Sequence, residues 1–165
     1  MASGDTLMAF MPENKQGPGA GSAPFDVRND ILVLAFDGGT SEAAIFRGIL
    51  PKHYAGGGLT LEIWWMTIAV TGDVVWGGSI SRAQAGGADQ DAYTFATEQL
   101  SAAATADATA GKKVKSTITF SSGANMDGLQ AGEPFFLRVQ RKTADAGDTM
   151  SANDAQLVEM HLAET

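Results

Sequence analysis

A chain of 165 residues with 44% hydrophobic residues can bury a real core, so disorder is not the default for its body. Its net charge of −8, with Lys112-Lys113-Val114-Lys115 as the longest basic run, argues against sequence-led nucleic-acid binding and against an anionic membrane surface. The absence of cysteine removes disulfides, thiolate zinc sites and cysteine nucleophiles together. Charged residues are sparse at 18% and small side chains abundant, a composition suited to packing against other protein.

The first residues lack the basic start and apolar stretch of a signal peptide, and no apolar run approaches the roughly 20 residues of a spanning helix. The expectation is a cytoplasmic product, or one released by a non-standard route. Thr6 to Met11 reads as a short strand. Residues 12–24 then combine three prolines with three glycines and have almost nothing to bury, so they are expected to form an extended arm or loop. Ile31 to Phe36 is a continuous apolar run stopped by the turn signal Asp37-Gly38-Gly39, and Ala43 to Leu50 is a second run closed by Pro51.

From Leu59 to Arg82 two apolar-alternating runs flank Thr71-Gly72-Asp73, the pattern of a β-hairpin with one buried face. Leu59, Leu61, Ile63 and Trp65 share one face of the first arm, with Trp64 on the other. In the second arm Val74, Trp76 and Ile80 oppose Val75, Ser79 and Ser81. The paired glycines at Gly77-Gly78 suggest a bulge or a close backbone approach. Gln84 to Asp91 is a polar loop, and the stretch from Tyr93 to Ala110 reads as a strand with a loop. Lys113 to Ser121 alternates cleanly. Asn125 to Glu133 is a turn-rich connector. Pro134 to Lys142 turns Phe135, Leu137 and Val139 one way and Phe136, Arg138 and Gln140 the other. The last strand, Ala155 to Ala163, is expected to bury Val158, Met160 and Leu162 and to point His161 outward.

Eight to ten strands without a helical period predict an all-β fold, a single domain over 1–165 built as a two-sheet antiparallel sandwich of jelly-roll type. An immunoglobulin-like sandwich is the runner-up, weakened by the lack of a Cys…Trp…Cys spacing.

Nothing in the chain forms a catalytic constellation. His53 and His161 are far apart, and no G-x-S-x-G motif is present. Asp89 with Asp91, and Asp145 with Asp148, read as solvated loop carboxylates, although the first loop loosely resembles a calcium loop without the EF-hand spacing. The glycine pairs do not match phosphate loops. No catalytic residue, cofactor or metal ligand is assigned.

The segment from Ala43 to Arg82, with Phe46, Pro51, Tyr54 and its following glycines, the alternating run to Trp65 and then Gly72-Asp73-Val74-Val75-Trp76, resembles small structural proteins of tailed bacteriophages. The opening residues and Gly147-Asp148-Thr149-Met150 look like the same group. The resemblance implies a virion component: a jelly-roll cement or decoration protein on the outer surface of the capsid, homotrimeric, with the major capsid protein as partner. Candidate interface residues are Pro12, Asn14, Gln16, Pro18 and Pro24 on the arm, together with Trp64 and Trp76. The alternatives are a tail or head-fibre β-domain that binds a host surface, or a carbohydrate-binding module using Trp64 or Trp76 as a sugar platform.

Overall fold

The computed structural model describes residues 4–17 and 19–165, so the candidate Pro18 lies outside the described residues. The strands are β1 (Thr6–Phe10), β2 (Phe25–Arg28), β3 (Ile31–Phe36), β4 (Ala43–Ile49), β5 (Leu59–Met66), β6 (Asp73–Val74), β7 (Trp76–Arg82), β8 (Gln99–Leu100), β9 (Ala104–Thr105), β10 (Val114–Phe120), β11 (Pro134–Arg141) and β12 (Ala155–Glu164). One sheet runs β10-β5-β12-β3-β2, with β1 also paired to β12; a second runs β4-β11-β7-β8, and β6 pairs β9 as a small ribbon. Strands β3, β4, β5, β7, β10, β11 and β12 fall alternately in the first and second sheets. Strand order and alternation together are those of a two-sheet antiparallel jelly roll.

The alternation read in the sequence sets the core. Leu59, Leu61, Ile63 and Trp65 of β5 are fully buried against Phe46, Trp76, Leu137 and Val139 of the facing sheet. Trp65 satisfies its indole N–H by donating to Ser116 Oγ at 3.0 Å. Phe36 and Trp76 meet edge to face across the two sheets, with ring centroids 4.9 Å apart.

Several expectations change. Leu59 to Arg82 is not a hairpin: β5 pairs β10 and β12, whereas β7 pairs β11 and β8. Residues 67–75 form an arch that carries the chain from one sheet to the other, and Asp73 pairs Thr105 within it. Periodicity reports that a strand has a buried face; it does not report the partner. Strand β2 went unread in the sequence. It forms a true hairpin with β3 through Asn29 and Asp30, at φ 49° and 65°, the left-handed pair a two-residue turn of this hand requires. In β12 a register shift between Leu157 and Glu159 changes the phase, so Leu157, Met160 and Leu162 face the core and Val158 does not. The pairing of β7 with β11 runs without a bulge, so Gly77 and Gly78 mark close approaches: a Cβ on Gly78 would lie 2.9 Å from Phe120 Cζ.

Asp148 is also not a solvated loop carboxylate. It is buried against the fully buried Arg141, whose Nε and Nη2 contact its two oxygens at 3.0 and 2.8 Å.

Candidate functional site: the outer face of the four-stranded sheet

The register of β4, β11 and β7 places residues in rows on the solvent side of the second sheet. Arg47, Phe136 and Ser81 form one row; Ile45, Arg138 and Ser79 form the next. Ser79 and Ser81 face outward in this register and yet are fully buried. Their cover is the segment between β7 and β8, which crosses the sheet as a strap. Ala83 N–H donates to Pro134 O at one end of the strap. At the other, Ala96 N–H donates to Ile80 O, and Glu98 pairs with Lys142 at 2.7 Å.

The strap delivers two aromatic rings to the sheet. Tyr93 stacks on Phe136 with centroids 4.5 Å apart and planes inclined by 16°. Phe95 meets Tyr93 edge to face at 5.5 Å, and the Arg138 guanidinium lies 4.7 Å from the Phe95 centroid. Arg47 sits 5.9 Å from the Phe136 centroid on the same face. The hydroxyls of Ser79 and Ser81 and the Nε of Arg138 are buried and have no hydrogen-bond partner among the described residues. Glu98 Oε2 on the same face is likewise buried without a partner; buried polar groups are normally satisfied, so four such atoms on one face are notable.

Two clefts flank the Tyr93–Phe136 stack. The larger, about 450 Å³, is lined by Arg47, Gly48, Ile49, Ala83, Gln90, Pro134, Phe135 and Phe136. The smaller, about 280 Å³, lies between the stack and Gln16, Gly17 and residues 19–22, with Ala43 and Ile45 as its floor. The Gly/Pro-rich arm therefore forms a wall of this site. It is stitched to the edge of β4 by bridges from Lys15 to Phe46 and from Ser22 to Ala43. Lys15 Nζ closes the loop by donating to Ser22 Oγ and Ala23 O at 3.0 and 2.6 Å, and burial holds its ammonium below the usual lysine value against the opposing pull of Glu42.

The sequence candidates separate accordingly. Gln16 lines the smaller cleft. Pro12 is buried in a short 3-10 turn whose Asn14 is exposed, and Pro24 is exposed. Trp76 is corrected to a core residue: it has no exposed surface and can serve neither as an interface nor as a sugar platform. Trp64 lies on the outer face of the other sheet, half-buried, with Lys113 and Lys115 at 5.8 and 5.7 Å from its ring. Those lysines are in turn held by Glu159 and Glu62 at 2.8 Å each, so the patch is internally neutralised. Tyr93, Phe95 and Phe136 were not singled out from sequence; the i, i+2 pair of aromatics at Tyr93 and Phe95 was the available signal. Among the described residues no group of three or more His, Asp or Glu side chains is placed to hold a metal ion, and no helix is long and apolar enough to cross a membrane.

No family model and no curated protein matches this chain. Among solved structures, the chain is similar to the N-terminal endo-1,4-β-D-xylanase 10B of Clostridium thermocellum, a structure of CBM22-1 and GH10 modules complexed with xylohexaose. The TM-score is 0.52 at 12% identity, covering 100% of this chain and 29% of that one. The CBM22-1 xylan-binding domain of Paenibacillus barcinonensis Xyn10C matches with a TM-score of 0.37 and 13% identity, over 99% of this chain and 97% of that one. The first likeness is one of fold, a β-sandwich.

Proposed function

We propose that this chain is a non-catalytic recognition module that binds a glycan on the outer face of its four-stranded sheet. One observation carries the reading: three rings, Tyr93, Phe95 and Phe136, converge on that face beside two clefts. Sugar rings present apolar C–H faces and hydroxyl edges, so they are held by aromatic side chains with polar groups beside them. Here the polar groups lining the clefts are the Arg47 guanidinium and the amides of Gln16 and Gln90. The similar xylanase structure was solved with xylohexaose, which makes a polysaccharide a reasonable class to test first. Glu98, the carboxylate held against the sheet, is ion-paired with Lys142 through Oε1.

A glycan microarray probed with the wild-type chain and with Tyr93→Ala and Phe136→Ala tests this. Saturable binding to a defined glycan, weakened at least about tenfold by either variant, is the expected outcome. A wild-type chain that retains no glycan overturns the reading.

A separate surface favours a second reading. On the β2–β3 hairpin Phe25 and Val27 share one face and are 51% and 61% exposed, while Ile31, 46% exposed, lies on the other, so the sheet edge is apolar on both sides and invites another protein. Together with the resemblance to phage structural proteins, this supports a decoration or tail component of a virion that acts through contact area. Quantitative mass spectrometry of purified particles separates the cases. Hundreds of copies in fixed ratio to the major capsid protein fit decoration, a handful fit a tail or fibre, and absence discards the virion setting.

A further inference from the structure

We infer that the glycan taken by this face is acidic, with carboxylate or sulfate groups on its rings, and that Arg47 and Arg138 read the charge. The inference rests on the glycan reading above and adds the chemical class of the ligand.

The chain has five arginines. Arg82 grips Glu133, Arg141 grips Asp148, and Arg28 donates to the Gln156 amide at 2.8 Å. Arg47 and Arg138 make no side-chain hydrogen bond or ion pair among the described residues; each has an aromatic ring as its polarisable neighbour. A guanidinium beside a ring keeps its N–H edge available for a planar or tetrahedral anion. The Nε of Arg138 is buried without an acceptor, which is costly unless an acceptor arrives.

Both unpaired arginines stand on the same face. Arg47 is opposite Phe136 and Arg138 is opposite Ile45 in the β4–β11 register, which makes the two arginines diagonal neighbours, at a typical spacing of about 7–8 Å and somewhat less at Cβ. That separation is within the span of one or two linked sugar rings, with Arg47 lining a cleft and Arg138 packed beside Phe95. Arg47 opens directly on the larger cleft, with Gln90 across from it. The strap carboxylates Asp89 and Asp91 flank Gln90 and form no ion pair with either arginine; Asp89 instead accepts the Asp91 N–H at 2.9 Å. The chain as a whole, at −8, repels polyanions, so an acidic ligand retained here is retained by these local groups and not by a general field.

Titration calorimetry of the full chain with hexagalacturonate, a heparin-derived hexasaccharide and neutral xylohexaose decides the matter. Binding of an acidic oligosaccharide is expected, weakened about tenfold or more by Arg47→Gln and by raised salt, with xylohexaose much weaker. Which acidic probe binds distinguishes carboxylate from sulfate. Arg47 is exposed and unpaired, so its replacement leaves folding intact, and Arg138→Lys supplies the second arm. Equal binding of xylohexaose with no effect of Arg47→Gln overturns the acidic class and leaves the glycan reading standing. Acidic binding untouched by either arginine variant overturns the placement. No binding of any of the three, with an empty microarray, removes both inferences.

Discussion

Arg141 has no exposed surface, and its charge is answered on every side. Besides the two contacts with Asp148, Nη1 donates to Asn153 O at 2.8 Å and to Phe36 O at 3.3 Å, while Nη2 also donates to Met150 O. Asp148 accepts the Val75 N–H in addition. The guanidinium thus ties the 145–153 loop to the end of β3 and to the arch before β7. Arg141→Met leaves a buried, uncompensated carboxylate and should cost about 3–5 kcal/mol in denaturant unfolding. Adding Asp148→Ala removes that charge but leaves the carbonyls without their donor, so the double variant should stay clearly below wild type. The Arg82–Glu133 pair is a contrasting case, partly exposed to solvent. The hydrogen bond from Arg82 holds the Glu133 carboxyl below its usual value. Its stabilisation is therefore complete above about pH 4.3, the ordinary glutamate value, and is lost as the pH falls through the lower folded value. Melting temperatures of wild type and Arg82→Gln should differ near neutral pH and converge in acid; a gap that persists at low pH would show that the pair acts through packing alone.

The strap is an element held by few contacts, and Gly77 controls one of them. A Cβ at Gly77 would lie 2.5 Å from Glu98 Oε2 and 3.0 Å from Lys142 Cδ, both ends of flexible side chains on the outer face. Gly77→Ala should push Glu98 off Lys142, with about 1 kcal/mol or less of global destabilisation and faster amide exchange across residues 84–98. Its neighbour on the inner face behaves differently: Gly78→Ala drives a methyl into Phe120 and should cost about 1–3 kcal/mol without loosening the strap. Unchanged exchange in Gly77→Ala would mean that Tyr93 and Phe95 hold the strap by themselves. This layered arrangement also explains what was legible in the sequence. Alternation in β5, β10 and β11 gave their buried faces, because period two is a local property. Partner choice is not local, which is why an arch between sheets read as a hairpin. Tyr93 and Phe95 sat in a stretch of mixed propensity, and their meeting with Phe136, about forty positions on, depends on the strap's path over β7. Asp148 read as solvated for the same reason: its partner, seven residues earlier on a strand, is defined by which way that strand turns.

At the scale of the molecule, the last strand holds the six-stranded sheet together. β12 pairs β5 along most of its length, pairs β3 through Ala155–Leu157, and pairs β1 through Met160–Ala163. Residues just before β1 meet the end of β12 there, with Gly4 N–H donating to Glu164 O at 2.8 Å. Such pairing between the first and last strands puts loop closure before reward, a topology that slows folding. Deleting β1 and deleting β12 should therefore differ in kind. Loss of β1 removes Phe10 from its contacts with Phe46 and Phe135, at 5.7 and 6.4 Å, and bares one edge of β12, but every other pairing survives. That variant should melt cooperatively at a lower temperature. A chain stopped at Asp154 loses the strand between β5 and β3, which leaves β2 and β3 with no route into the sheet and uncovers Trp65 and Leu61 beside the gap. It should show no cooperative transition, and its fluorescence should report solvent-exposed tryptophan. A sharp melt from the chain stopped at Asp154 would instead mean that β4, β11, β7 and β10 make a core sufficient without the central strand, and the two faces would then be stabilised independently of each other.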